Sequence, residues 1–224
     1  MPDLIEELNR LNIEYNDLSL YKMAFTHASY TNEHPECLSY DRLEFLGDSV
    51  LSFFTSELLF DKYKDYPSGK LSKMRIILVE GKTLTYLCEE VLKIDSLVLY
   101  SVGEKDNTRF HHHINEDVFE SFVAAIYLDK GYEYTKEFLL KIYTPLLDTL
   151  EEQVLIADSK SRLQELIGNV KYVKVGEMNI NTPNSTFIVE ARYAAEVLGV
   201  GRGHNIKEAE INAAKDALDK KVGK

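Results

Sequence analysis

Tyr40-Asp41-Arg42-Leu43-Glu44-Phe45-Leu46-Gly47-Asp48-Ser49-Val50-Leu51-Ser52-Phe53-Phe54 reads as the front half of a long helix that runs to about residue 63. Phe45, Leu46, Val50, Leu51, Phe53, Phe54, Leu58, Leu59 and Phe60 leave almost no wide polar face, the pattern of a buried helix. Yet the helix carries three carboxylates. At about 100° per residue, Asp41, Glu44 and Asp48 fall within a stripe roughly 60° wide over about two turns, a column of acid on one edge. Like charges at these spacings repel, and an unpaired buried charge is costly, so the column predicts a nearby cation, either Arg or a metal. Gly47 lies inside the same helix, where it costs about 1 kcal/mol against Ala, so something is expected to approach the backbone closely there: a packed helix, a substrate or a metal.

A second apolar helix is predicted from Ile114 through Glu116-Asp117-Val118-Phe119-Glu120-Ser121-Phe122-Val123-Ala124-Ala125-Ile126-Tyr127-Leu128 to a stop at Gly131. Asp117 and Glu120, at i,i+3, share one edge of it. If the two helices pack side by side, Glu44, Asp48, Asp117 and Glu120 form an all-oxygen cluster, and hard oxygen ligands suit Mg²⁺ or Mn²⁺ far better than zinc. Such a site can activate a water and neutralise the developing charge of a phosphodiester. Spacing equally allows these acids to pair with Arg42, Lys73 or Arg75, or to sit at the solvent edge of each helix. A di-iron bundle would need Glu-x-x-His on two helices, and Asp117-x-x-Glu120 has no histidine. His111-His112-His113 cannot share one helix face and is read as part of a polar loop over residues 103–113; His27 is read as a hydrogen-bonded structural residue.

Outward from these two helices, residues 3–11 and 18–26 read as short amphipathic helices, 28–39 as a loop, 68–91 as a second long helix after the Tyr66-Pro67-Ser68-Gly69 break, and 134–153 as the last helix. The first 155 or so residues are thus all-α. After Ile156-Ala157-Asp158 the texture changes: a helix over 160–167, β-rich runs over 172–175, 186–191 and 193–200, a glycine loop over 199–203, and a final helix capped by Asn205 with Glu208. The order is α-β-β-β-α, a small α+β domain over residues 158–224 behind an all-α domain over 1–155.

With 224 residues the chain can bury a real core, and no stretch approaches the roughly 20 apolar residues of a membrane span. Met1-Pro2-Asp3-Leu4-Ile5-Glu6-Glu7 is acidic where a secretory leader would be basic and then apolar, so a cytoplasmic protein is expected. Cys37 and Cys88 are too few for a disulfide framework or a Cys-rich zinc site. The net charge of −11 argues against a polyanionic partner until the chain is divided. Of the 26 basic and 37 acidic residues, 158–224 hold eleven and nine, leaving that segment at +2 and the residues before it at −13. That split fits a metal-using catalytic part joined to a binding module, and fits a merely solvated acidic helical surface as well.

Asp41-Arg42-Leu43-Glu44-Phe45-Leu46-Gly47-Asp48-Ser49-Val50-Leu51 closely resembles the signature of the ribonuclease III family. Phe25-Thr26-His27-Ala28-Ser29-Tyr30 and Asp117-Val118-Phe119-Glu120-Ser121-Phe122 look like its flanking motifs, and the tail is similar to a double-stranded-RNA-binding domain, with Arg162-Leu163-Gln164-Glu165 in its first helix and Gly201-Arg202-Gly203 to Ala214 at its end. The resemblance implies a homodimeric endoribonuclease that cuts double-stranded RNA with a divalent metal, Mg²⁺ or Mn²⁺ in its place, and that serves rRNA and other RNA processing without an organic cofactor. It implies Glu44, Asp48, Asp117 and Glu120 as metal ligands, Asp48 and Glu120 as the most essential catalytic residues, Asp41 as an accessory acid, and Gln164, Glu165, Lys207 and Lys215 as RNA contacts. A non-catalytic RNA-binding protein of the same fold is the alternative, and the four retained acids speak against it. The chain departs from the family in Asp41, usually Glu; in Ser68, usually an acid; in Ile180-Asn181-Thr182-Pro183, usually Gly-Pro-x-His; and in Ile206, usually a lysine. Fewer phosphate contacts imply modest, less salt-sensitive RNA binding.

Overall fold

Asp3 and Asp17 each accept a hydrogen bond from the backbone N–H two residues on, at Ile5 and Ser19, and so start α1 (Leu4–Arg10) and α2 (Leu18–Ala24). His27 does the same for a helix absent from the sequence reading. Its Nδ1 accepts from Ser29 N–H at 3.1 Å and opens α3 (Ala28–Glu33), so the segment expected as a loop begins with a helix. The computed structural model describes residues 3–101, 103, 108–178 and 185–222. The chain divides into two units, Met1–Asp148 and Thr149–Lys224.

In the first unit α4 (Asp41–Lys62) and α7 (Thr108–Lys130) pack against each other at the centre. Leu43, Val50, Leu51, Phe54 and Leu59 of α4 and Val118, Phe119, Phe122 and Val123 of α7 are buried. α4 is not buried all round, however. Phe45, Phe53 and Phe60 are 79%, 60% and 72% exposed, so the apolar surround read from sequence is a core face plus an outward face. The long helix expected over 68–91 is broken. α5 (Ser68–Val79) ends at Glu80, whose backbone is extended at ψ 147°, and α6 (Gly81–Tyr86) follows, running into a π-helical turn at Leu87–Leu92. Thr83 Oγ1 donates to Ile77 O at 2.6 Å and satisfies a carbonyl that the break frees. α7 already runs from Thr108, so the histidine triplet belongs to a helix rather than a loop. The helix expected over 134–153 is also divided, into α8 (Tyr132–Tyr143), a 3₁₀ turn at Thr144–Leu146 containing Pro145, and α9 (Leu147–Ala157). Tyr21 and Ala24 of α2, Met74 and Leu78 of α5, and Leu139 and Tyr143 of α8 complete this core.

The second unit places α10 (Ser159–Ile167) and α11 (Ile206–Val222) with an antiparallel sheet of order β1-β2-β3, formed by Lys171–Met178, Thr186–Tyr193 and Glu196–Gly203. Val173, Glu190 and Val200 stand opposite one another across the three strands. The glycine loop expected over 199–203 is the end of β3. A Cβ on Gly199, Gly201 or Gly203 would meet atoms of α11 at 2.1–2.9 Å, including backbone atoms of Ala209, Ala213 and Ala217. Alternate glycines strip one face of the strand so that the alanine face of the helix can lie directly on it. Leu163, Val170, Val189, Ala191, Ala209, Ala213, Ala214 and Ala217 form the buried cluster beneath. Asn205 Oδ1 accepts from Glu208 N–H at 2.8 Å, and Glu208 Oε2 accepts from His204 N–H at 2.8 Å, the expected cap of α11.

Candidate metal centre

Gly47 decides how near α4 and α7 approach. A Cβ there would lie 1.9 Å from the backbone oxygen of Glu120, so hydrogen alone permits the contact, and packing of a helix is what this glycine serves. The crossing brings the residues on either side of Gly47 to the Glu120 turn. One carboxylate oxygen from each of Glu44, Asp117 and Glu120 lies within 4.8 Å of the others, all three side chains half-buried. Two separate i,i+3 or i,i+4 edges thereby become one cluster of acid.

The electrostatics are dominated by burial and by negative charges held close together. Burial, then the charges of Asp48, Asp117, Glu44 and Glu116, push the Glu120 carboxyl up to about 8. Burial followed by Glu44 and Glu116 pushes Asp117 up to about 7, against a hydrogen bond from the Tyr40 hydroxyl that pulls the other way. Glu44 is raised by burial, Asp41, Glu116 and Asp48. The groups that act most strongly on these three are other acids and Tyr40. Such a cluster fits a hard divalent cation: oxygen donors only, on rigid helices, with burial and mutual repulsion that a cation would relieve.

Asp48 is exposed and stands outside the closest trio, beside Glu120, on which its charge bears. Asp41 is exposed at the start of α4, with its charge bearing on Glu44. Ser68 is exposed as the first residue of α5. Arg75, one of the cations considered as a partner for the acids, donates instead to Ser56 Oγ at 3.1 Å. Two residues near the acids were not singled out from sequence. Tyr40 is buried, at 3% exposure, and its hydroxyl reaches Asp117 on another helix. Glu116 precedes Asp117 and acts on all three acids. A sequence signal existed for each: Tyr40 is i−4 to Glu44, and Glu116 is i−4 to Glu120.

In the second unit, Glu165 and Lys207 are exposed, and Gln164 Oε1 accepts from Val170 N–H at 3.3 Å. Lys215, two turns along α11 from Lys207, lies 3.9 Å from Glu152 of α9. Lys160, Lys174, Arg192 and Lys220 are likewise paired with acids of their own unit, Glu210, Glu177, Glu190 and Asp216. Ile206 is 45% exposed at the first position of α11. The loop segment Ile180-Asn181-Thr182-Pro183 lies outside the described residues.

Residues 17–147 match the family described as Ribonuclease-III-like, and residues 159–221 match the double-stranded RNA binding motif. Ribonuclease 3 of Clostridium tetani is 35% identical over 227 residues, covering 97% of this chain and 94% of the relative. Ribonuclease 3 of Latilactobacillus sakei is 37% identical, with 96% of each covered. Among solved structures, the nuclease domain of ribonuclease III from Campylobacter jejuni is similar at a TM-score of 0.58 and 32% identity, over 62% of this chain and 95% of that domain; its structure was described for flexibility in a region involved in dimer formation.

Proposed function

The chain belongs to the ribonuclease III family, and from that premise we propose that it cleaves double-stranded RNA as a homodimer, using a Mg²⁺ site built from Glu44, Asp117 and Glu120 with Asp48 beside it. The observation that carries this reading is the convergence of three half-buried carboxylates from α4 and α7 within 4.8 Å. When bound, a divalent cation supplies Lewis-acid activation of water and neutralises the charge of the scissile phosphodiester. The protein's own part is positioning. Gly47 sets the helix separation, and the Tyr40 hydroxyl holds Asp117 by donating to its carboxylate. The Glu120 carboxyl, pushed up to about 8, can keep a proton near neutral pH until a cation replaces it.

The second unit supplies RNA affinity through its double-stranded RNA binding motif. Duplex RNA is read by shape, through phosphates and 2′-hydroxyls, and Glu165 and Lys207 are exposed for that contact. The homodimer is supported by the outward face of α4. Phe45, Ser49, Ser52, Ser56 and Phe60 recur every three or four residues, with a large exposed apolar ring at each end. Leu38 and Ile76 are exposed as well. Processing of rRNA and other transcripts in the cytoplasm is the setting we assign. Two of the four acids are tested by Glu120→Ala and Asp48→Asn. Each is expected to bind a labelled RNA duplex as the unaltered protein does while losing cleavage in Mg²⁺ by at least about 100-fold. Equal loss of binding and cleavage would show that the acids are structural.

A further inference from the structure

Glu116 enters this site from a direction the spacing of the four acids does not indicate. It lies one residue before Asp117 and one turn before Glu120 on α7, and its charge bears on Glu44, Asp117 and Glu120 alike. Its carboxylate is seated against the first residue of α6. A Cβ on Gly81 would fall 1.7 Å from Glu116 Oε2 and 2.9 Å from its Cδ, so the carboxylate occupies the space that any other residue at position 81 would fill. Gly81 has no positive φ to require glycine. The space taken by the Glu116 carboxylate is what calls for glycine there. A buried-edge carboxylate beside three others raises repulsion, which makes it an expensive neighbour for the fold unless something positive is shared.

We propose that Glu116 is a positioning residue of the metal centre, held in place by the absent side chain of Gly81, which faces the hydrated cation from outside the trio. The inference rests on Glu44, Asp117 and Glu120 holding that cation. Glu116 does not belong to the set whose oxygens converge within 4.8 Å, so it would act on a bound cation through that cation's water. Mg²⁺ gives up its waters reluctantly, and acceptors for those waters add to affinity while the direct ligands stay the same.

The test is calorimetric titration of Mn²⁺ into the whole protein without RNA, for the unaltered chain, Glu116→Gln, Gly81→Ala and the double variant. Glu116→Gln is expected to weaken Mn²⁺ binding about 10-fold with the number of ions unchanged. Gly81→Ala needs only the far end of a flexible side chain to move, so it is expected to keep the fold and weaken Mn²⁺ to a similar degree. The double variant is expected to be no weaker than either single one, because both changes remove the same contact. Melting in chelator reads the structural alternative: Glu116→Gln should melt no lower than the unaltered protein, since it loses a repelling charge. Glu116→Gln binding Mn²⁺ as tightly as the unaltered chain overturns the inference, and so does additive weakening in the double variant. A lowered melting temperature with unchanged Mn²⁺ affinity would make Glu116 a support for α6 and overturn it too. If the unaltered chain takes up no Mn²⁺, the trio itself is refuted and this inference falls with it; if only the variants' affinity fails to change, the trio stands.

Discussion

Glu120 and Asp117 are carboxyls whose ordinary values, 4.5 and 3.8, are lifted to about 8 and about 7, first by burial and then by their acidic neighbours. The linkage has a definite sign. A carboxyl raised on folding holds its proton in the folded state at pH values where the unfolded chain has lost it, so stability falls as pH rises from about 4 to about 8. The cation-free protein is therefore expected to melt progressively lower across that window relative to Glu120→Gln, and added Mg²⁺ to recover most of the difference at the alkaline end. Parallel melting curves for the two proteins at every pH in chelator would contradict the assignment. These acids were legible in sequence because helical spacing alone puts Glu44 with Asp48, and Asp117 with Glu120, on common edges. Tyr40 and Glu116 were not singled out, since each works through a contact between elements: a hydroxyl crossing from the start of α4 to α7, and a carboxylate resting on Gly81. Helical spacing puts Tyr40 near Glu44 and Glu116 near Glu120, but it does not encode the contacts with Asp117 and Gly81 across elements.

Helix pairing is where glycine carries information. Gly47 announced a close approach in sequence, and the partner is the backbone oxygen of Glu120. Gly47→Ala must push α4 and α7 apart, which is expected to cost about 1–3 kcal/mol in denaturant unfolding and to abolish cleavage, because the trio spans the same crossing. Unchanged cleavage in that variant would separate the acids from the crossing. Gly199, Gly201 and Gly203 were harder to read, since a run of glycines looks like a loop. Their period of two is a strand period, and the reason for it lies on α11, whose alanines need a bare strand beneath them. The outward phenylalanines of α4 show a different limit: hydrophobic periodicity states that a face is to be covered, without stating whether the same chain covers it. Phe45→Asp is expected to convert a dimer to a monomer in sedimentation with the helical circular dichroism retained; a monomer before the substitution, or a dimer after it, would refute the α4 interface.

At the scale of the whole chain, the change from helix to α-β-β-β-α near residue 157 was legible from composition, and both units match known families. α9 is the piece that texture could not allot, since it begins at Leu147 and continues past the division at Asp148 and Thr149. The +2 balance of the second segment overstates what is available to RNA. Lys160, Lys174, Arg192, Lys215 and Lys220 sit beside acids, and Lys174 and Lys220 are exposed, as are Lys207, Arg162 and Arg202. Ile206→Lys, at an exposed position next to Lys207, is expected to tighten duplex binding and steepen its salt dependence by about one ion, read from affinity across a salt series. An unchanged slope would place α11 away from the phosphates. Among the described residues, no helix is long and apolar enough to cross a membrane. The central claim is a carboxylate-held divalent cation that is required for cutting double-stranded RNA. It is tested most directly by following a labelled RNA duplex with the unaltered protein in Mg²⁺, in chelator, and in chelator with Mg²⁺ restored. The account predicts cleavage, none, and cleavage again, whereas cutting that persists in chelator, or no cutting in Mg²⁺, would contradict it.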